Sequence, residues 1–109
     1  MNIRILNVDD SDGARYAKGR VLRLAGYEVI DAASGEEALE RVREDRPDLV
    51  LLDVKLPDIN GREVCRRIKQ DASMAATLVL QTSASMIDLD SRVKALDAGA
   101  DAFLVEPIE

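Results

Sequence analysis

The fold is decided by residues 48–57, which read DLVLLDVKLP. Their apolar run, Leu49 to Leu52, shows no polar alternation, and such a run is typical of a central parallel strand that helices cover on both faces. The run ends at Asp53, a carboxylate at the point where the strand should leave the sheet. Since ligands of open α/β sheets bind beyond the carboxyl ends of the strands, Asp53 is a candidate functional residue.

The rest of the sequence alternates between similar short runs and stretches with apolar residues at helical spacing. Strands are predicted over Ile3–Val8, Glu28–Ala32, Asp48–Asp53, Leu78–Thr82 and Ala102–Val105. Helices are predicted over Gly13–Leu24 and from Ser34, Gly61 and Asp88 onward, with Ser34 and Glu37 at the spacing of a capping box. This alternation predicts an α/β fold, a doubly wound sheet of five parallel strands joined by right-handed crossovers.

The composition favours one globular domain over residues 1–109, because 109 residues suffice for one domain and are too few for two. The net charge of −6 disfavours direct nucleic-acid binding, which depends on a basic surface. We expect no membrane contact, since no apolar stretch approaches the length of a span, and no signal peptide before the first strand. With Cys65 as the single cysteine, a cytoplasmic location is the simplest expectation.

The chain contains no histidine, and this absence limits its chemistry. It excludes Ser–His and Cys–His nucleophile pairs, histidine zinc ligands and a phosphohistidine on this chain. The remaining chemical groups are carboxylates, hydroxyls and amines.

Three carboxylates fall at the carboxyl ends of predicted strands. Asp9 and Asp10 follow the first strand and Asp53 ends the third, so all three converge if these strands are neighbours, as in the order 2-1-3-4-5. Their mutual repulsion would be relieved by a hard divalent cation, for which Mg²⁺ is the natural choice. The alternative is that these residues only cap helices or turns. Separated side chains, or a salt bridge that fills the space between them, would contradict the metal site.

These residues belong to a larger pattern that resembles the response-regulator receiver domain of two-component signalling, over essentially the whole chain. The resemblance implies a flavodoxin-like fold with the strand order 2-1-3-4-5. The matching segments are Leu6-Asn7-Val8-Asp9-Asp10, residues 48–57 with Gly61, Ser83-Ala84, Ala98-Gly99-Ala100-Asp101 and Glu106-Pro107.

The resemblance implies that Asp53 accepts a phosphoryl group from the phosphohistidine of a histidine kinase or phosphotransfer protein. It also implies that Asp10 binds Mg²⁺ directly, that Asp9 binds it through water, and that Asp53 and the backbone carbonyl of Lys55 are further ligands. Phosphoryl transfer to a carboxylate that is already ionised needs no general base, which agrees with the missing histidine.

Four other positions match residues with roles in such a switch. Ser83 matches the hydroxyl that bonds the phosphoryl oxygen, and Phe103 matches the aromatic residue that changes rotamer with it. Pro57 and Gly61 match residues that shape the loop after the acceptor. The resemblance implies a signalling switch rather than an enzyme, with self-catalysed phosphoryl uptake and slow autodephosphorylation at most.

Glu106 departs from the family, which usually has lysine before the last proline. A carboxylate within about 5 Å of Asp53 would repel it by roughly 3 kcal/mol at an effective dielectric constant of about 20. Two outcomes stay open: Lys55 could swing in as a substitute cation, or the domain could respond weakly or not at all.

The sequence ends at Glu109, before the fifth helix that receivers normally have. We expect either that the chain is a piece of a longer protein, with an effector or kinase region on the same chain, or that self-association as a homodimer covers the exposed apolar patch near Leu104.

Three alternative functions remain open to different degrees. A degenerate receiver-like module would bind proteins through its fourth helix and fifth strand without phosphorylation. A phosphohydrolase with an Asp nucleophile is disfavoured, because Lys55 stands where such enzymes place an acid catalyst. Dinucleotide binding is disfavoured by the acidic segment Asp9–Asp12, where a glycine-rich phosphate loop would be needed.

Overall fold

Five short parallel strands form one sheet in the computed structural model, which describes residues 2–83 and 96–105. The strands are β1 (Arg4–Val8), β2 (Glu28–Ala32), β3 (Leu49–Asp53), β4 (Leu78–Ser83) and β5 (Ala102–Val105). The helices between them are α1 (Asp12–Leu24), α2 (Gly35–Asp45) and α3 (Gly61–Gln70). None of the helices in these described ranges combines the length and the apolarity that crossing a bilayer requires.

The strand order is β2-β1-β3-β4-β5, which confirms the predicted doubly wound arrangement. β1 pairs with both β2 and β3, so that Leu6 lies between Ile30 and Val50. The strand limits differ from the predicted ones by a residue: β1 begins at Arg4, β3 begins at Leu49, and β4 extends to Ser83. The extension of β4 follows from its pairing with β5, in which Ser83 faces Val105.

The helices begin at polar residues that satisfy free backbone N–H groups. Ser34 accepts a hydrogen bond from the Glu37 N–H, as the predicted capping box requires, and the Glu37 carboxylate accepts one from the Ala33 N–H. Ser11 caps α1 and Asn60 caps α3 in the same way. The predicted start of a fourth helix at Asp88 lies outside the described residues.

The core lies between the sheet and the helices α2 and α3. Successive side chains of a strand point to opposite faces of the sheet. Most of those that point toward α2 and α3 are fully or almost fully buried. They are Leu6, Val8, Ala32, Val50, Leu52 and Val79, packed against Ala38, Leu39, Val42, Val64, Cys65 and Ile68.

The opposite face of the sheet is covered less completely, and α1 packs against it over β1 and β2. An apolar groove of about 520 Å³ remains open at the amino ends of the strands, and Leu78 is 53% exposed there. The predicted exposed patch was centred on Leu104, whose side chain lies outside the described residues. The groove is lined by Ile3, Ile5, Leu22, Tyr27, Asp48, Leu49 and Leu78.

Candidate functional site

The structure brings the side chains of Asp9, Asp10 and Asp53 together at the carboxyl edge of the sheet. Each offers a carboxylate oxygen, and these oxygens all lie within 4.8 Å of one another. The cause is the register of two neighbouring strands: Val8 of β1 faces Leu52 of β3, so the residues that follow each of them emerge side by side.

Asp9 is the most enclosed of the three carboxylates, with a side chain only 4% exposed. One of its oxygens accepts a hydrogen bond of 2.9 Å from the Ser11 N–H at the start of α1. Its other oxygen lies 2.7 Å from the ammonium nitrogen of Lys18. The Arg15 guanidinium donates to the Asp9 backbone carbonyl at 2.8 Å, so both cations of the inner side of α1 contact this residue.

Asp53 is half-buried, and the chain turns sharply after it. Its carboxylate accepts a hydrogen bond of 3.1 Å from the Lys55 N–H, two residues onward. The Gly61 N–H donates to the Val54 carbonyl at 2.8 Å, which closes the loop between β3 and α3. Asp10 is exposed, so the acidic group is open to solvent on its side.

The loop after Asp53 can close only because residue 61 is glycine. A Cβ atom built on Gly61 would lie 2.1 Å from the Asp53 carbonyl oxygen and 2.9 Å from the Val54 Cα. No side chain fits there without moving the backbone beside Asp53. Pro57, the other predicted shaping residue, lies exposed in the same loop.

Asp58 holds this loop in place, and the sequence interpretation missed it. Its two carboxylate oxygens accept hydrogen bonds of 2.8 Å from the N–H groups of Gly35 and Glu36, at the start of α2. Burial by itself would raise the pKa of Asp58, but these N–H donors outweigh it and lower the pKa below its ordinary value. An aspartate followed by an apolar residue and Asn-Gly is an ordinary loop sequence, so nothing local indicated a partner twenty residues away.

The predicted switch residues lie on neighbouring strands, Ser83 at the carboxyl end of β4 and Phe103 within β5, two positions further from that edge. Ser83 ends β4 and is 4% exposed, and Thr82 before it faces Asp53 of β3. Phe103 is half-buried on β5, opposite Gln81. Glu106, the predicted departure from the family, lies outside the described residues.

The chemistry of this acidic group fits Mg²⁺. The donors are carboxylate oxygens, two of the three residues have solvent access, and such hard ligands on one exposed edge suit a cation that keeps several waters. The Lys18 ammonium pairs with one carboxylate oxygen of Asp9, and oxygens of all three carboxylates still lie within 4.8 Å of one another. The ion pair therefore engages one of the three carboxylates of the acidic group.

Lys18 is the second residue that the sequence interpretation missed. It lies one helical turn from Ala14 and from Leu22, so it shares their half-buried side of α1, whereas Val21 and Leu24 are exposed. The available signal was this spacing, which places a lysine on the apolar side of a helix next to an acidic strand end. Lys55, the predicted substitute cation, has an exposed side chain.

Comparisons with known proteins agree with this geometry. Residues 5–109 match the family described as the response regulator receiver domain. The chain is 43% identical over 107 residues to the response regulator MprA of Mycolicibacterium vanbaalenii, which covers 98% of the chain and 45% of that protein. It is 42% identical over 105 residues to the transcriptional regulatory protein AfsQ1 of Streptomyces coelicolor, which covers 96% of the chain and 45% of that protein.

Solved structures show the same fold. A putative response regulator from Chloroflexus aurantiacus superposes with a TM-score of 0.92 at 38% identity, over 100% of the chain and 88% of that structure. The BeF3-activated DrrB receiver domain superposes with a TM-score of 0.86 at 31% identity, over 100% of the chain and 88% of that structure. The chain spans less than half the length of the curated relatives it matches, 45% in both cases. The chain belongs to the response regulator receiver domain family.

Proposed function

We propose that this receiver domain is a phosphoacceptor switch in which Asp53 takes a phosphoryl group from the phosphohistidine of a histidine kinase or phosphotransfer protein. The observation that supports the proposal most is the convergence of Asp9, Asp10 and Asp53 within 4.8 Å at the end of the central strand. A carboxylate at this edge is accessible to a partner, because Asp53 is half-buried rather than enclosed.

The transfer requires little from the protein besides position and charge. An oxygen of the ionised Asp53 carboxylate attacks phosphorus, the bond from phosphorus to the donor nitrogen breaks, and the imidazole keeps the electron pair. Bound Mg²⁺ supplies the charge neutralisation that two approaching anions need. Asp10, Asp53 and the Lys55 backbone carbonyl would hold it directly, and Asp9 would hold it through water.

The response to phosphorylation is proposed to involve Ser83 and Phe103. Ser83 would bond a phosphoryl oxygen, and Phe103 on the adjacent strand would change its rotamer with that movement. The domain would act as a cytoplasmic switch rather than an enzyme. Its output would be an effector or kinase region on the same longer chain, as the name of the transcriptional regulatory protein AfsQ1 suggests for that relative.

The direct test is incubation with Mg²⁺ and acetyl phosphate, followed by intact mass spectrometry. We expect the mass of one added phosphoryl group, which hydroxylamine removes because an acyl phosphate is cleaved by it. Asp53→Asn should abolish the adduct. Asp12→Asn is the matched control, because Asp12 is an exposed carboxylate nearby that is not part of the acidic group, and it should keep the adduct.

The second candidate is a receiver-like module that binds proteins without phosphorylation. The ion pair between Lys18 and Asp9 favours it, because it provides a charge-compensated resting state that needs no metal. Wild-type protein that gains no phosphoryl mass at any Mg²⁺ concentration, while it stays folded, would support this module and contradict the switch.

A further inference from the structure

The Lys18–Asp9 ion pair lies inside the protein rather than on its surface. The Lys18 side chain is 20% exposed and the Asp9 side chain 4% exposed, and the two charged atoms are 2.7 Å apart. Burial of a carboxylate is costly unless charged or hydrogen-bonding partners replace the water that it loses. Lys18 supplies the charge, and the Ser11 N–H supplies one hydrogen bond.

The two other cations near the site make different contacts. Arg15 contacts the Asp9 backbone carbonyl and the Asp12 carboxylate, not the carboxylate of Asp9. Lys55 has an exposed side chain, and its backbone N–H donates to the Asp53 carboxylate. Within residues 2–83 and 96–105, the only ammonium that contacts a carboxylate of the acidic group is that of Lys18.

We infer that Lys18 is the built-in counter-cation of the acidic site, supplied from α1, and that Mg²⁺ binds in competition with it. This inference rests on the proposed function for the identity of the metal. Lys18 is a positioning residue, because it acts through Asp9 and has no assigned contact with the transferred group. Lys18 also supplies the acidic group with a positive charge. Position 106, where the family usually has lysine, is glutamate in this chain.

Two opposite consequences follow when the charge of Lys18 is removed. Without metal, no cation of the described residues 2–83 and 96–105 would contact the enclosed Asp9 carboxylate beside its two acidic neighbours, so the fold should lose stability. With metal, the ion would no longer be repelled by a nearby ammonium and would meet one more uncompensated carboxylate, so its affinity should rise. A lysine that served only to pack α1 against the sheet would give the first effect without the second.

The test compares Lys18→Met, which keeps the unbranched stem of the side chain but removes the ammonium, with Arg20→Met. Arg20 is exposed on the outer side of the same helix, so its replacement removes the same charge away from the site. Lys18→Arg is the variant that restores charge. Each protein is titrated with Mg²⁺ alone and followed by the backbone amide shifts of the 15N-labelled chain, and each is melted in EDTA and in saturating Mg²⁺.

We expect Lys18→Met to bind Mg²⁺ about tenfold more tightly than wild type, from removal of one charge near a divalent ion at solvent-like dielectric. It should melt lower than wild type in EDTA and recover most of that loss in Mg²⁺. Arg20→Met should match wild type in both measurements, and Lys18→Arg should return the affinity toward wild type. If Lys18→Met is unfolded in EDTA, Lys18→Gln, which lacks the charge but can still donate a hydrogen bond, takes its place in both measurements.

Equal Mg²⁺ affinities of Lys18→Met and Arg20→Met would overturn the inference, whatever their melting temperatures. If wild type also forms the Asp53 phosphoryl adduct, the failure concerns Lys18 alone and the proposed function stands. A wild-type chain that binds no Mg²⁺ and forms no adduct would overturn both.

Discussion

The two faces of the sheet are built from the same strands but are buried to different extents. On β3, Val50 and Leu52 face α2 and α3 and are 0% exposed, whereas Leu49 and Leu51 face the side of α1 and are half-buried. The strand itself is equally apolar on both sides. The difference lies in what covers each part of the sheet, because α2 and α3 pack over Val50 and Leu52 whereas α1 packs over β1 and β2 and leaves Leu49 at an open groove.

This comparison indicates that the two faces have different tasks. The face of α2 and α3 holds the fold together by tight packing, while α1 supplies charge to the carboxyl edge, where the acidic group lies. Lysine and arginine on the inner side of α1 would be unfavourable if that helix only packed against an apolar sheet. Next to Asp9 it becomes part of the site.

The largest effect should come from truncating one leucine on each face. We expect Leu52→Ala to lower the free energy of unfolding by about 3 kcal/mol, because it leaves a cavity in a closely packed core. Leu51→Ala should lower it by about 1 kcal/mol, since part of that side chain is already in contact with water. Urea unfolding followed by circular dichroism measures both, and equal losses would contradict the contrast between the faces.

The second effect concerns a glycine in the first turn of a helix on each face of the sheet, Gly61 in α3 and Gly13 in α1. Gly61→Ala should lower stability by about 2 kcal/mol and shift the amide signals of Asp53 and Val54, because the new Cβ meets backbone at 2.1 Å. Gly13→Ala is the matched change in α1, where an added Cβ meets nothing within 4 Å. It should be neutral or add up to about 1 kcal/mol through helix propensity. A tolerated Gly61→Ala would show that the loop can relax.

The third effect is the pH dependence of stability that Asp58 contributes through its contacts with the start of α2. Because the N–H groups of Gly35 and Glu36 lower the pKa of Asp58, its contribution to stability is complete above the ordinary carboxyl pKa of about 4 and is lost as the pH falls through the lower, folded value. Asp58→Asn keeps one acceptor oxygen but loses one of the two N–H contacts and the charge, so it should remove about 1 kcal/mol at neutral pH. It should also weaken the dependence of the free energy of unfolding on pH between about pH 5 and about pH 3.

Asp12→Asn is the control for that measurement, because Asp12 is 92% exposed in the first turn of α1. It should leave the pH profile nearly unchanged, since exposed ion pairs add little stability. An Asp58→Asn variant whose stability falls with acid as steeply as that of wild type would contradict the assigned role.

The smallest effect is one of reactivity and uses Cys65 as a reporter of the packed face. Burial raises the pKa of the Cys65 thiol to about 11, so very little thiolate exists near neutral pH and the native protein should react only slowly with a disulfide reagent. Leu52→Ala should accelerate the reaction by promoting local opening, and Leu51→Ala should accelerate it less. Rapid labelling of the native wild type would contradict tight packing around α3.

The parallel sheet could be predicted because alternating strand and helix patterns are local signals. The strand order 2-1-3-4-5 came from the resemblance to receiver domains. With that order the ends of β1 and β3 lie side by side and bring Asp9 and Asp53 together. The Ser34–Glu37 capping box was likewise a local signal, and the structure contains the Ser34 cap.

The contacts of Asp58 and Lys18 could not be predicted in the same way. Asp58 binds the start of α2, a partner more than twenty positions away, and Lys18 reaches Asp9 only because of the way α1 is oriented on the sheet. Both depend on how elements pack rather than on the residues around them. Helical spacing alone does not show which residues of α1 are buried either, because Val21 and Leu24 fit that spacing and are exposed.

The most direct test of the central claim is a crystal structure of the chain with Mg²⁺ and beryllofluoride. The account predicts one metal ion bound by Asp10, Asp53 and the Lys55 carbonyl, with the fluoride group on an Asp53 carboxylate oxygen. A fully occupied adduct on a residue other than Asp53, or an ion bound away from Asp10 and Asp53, would contradict it.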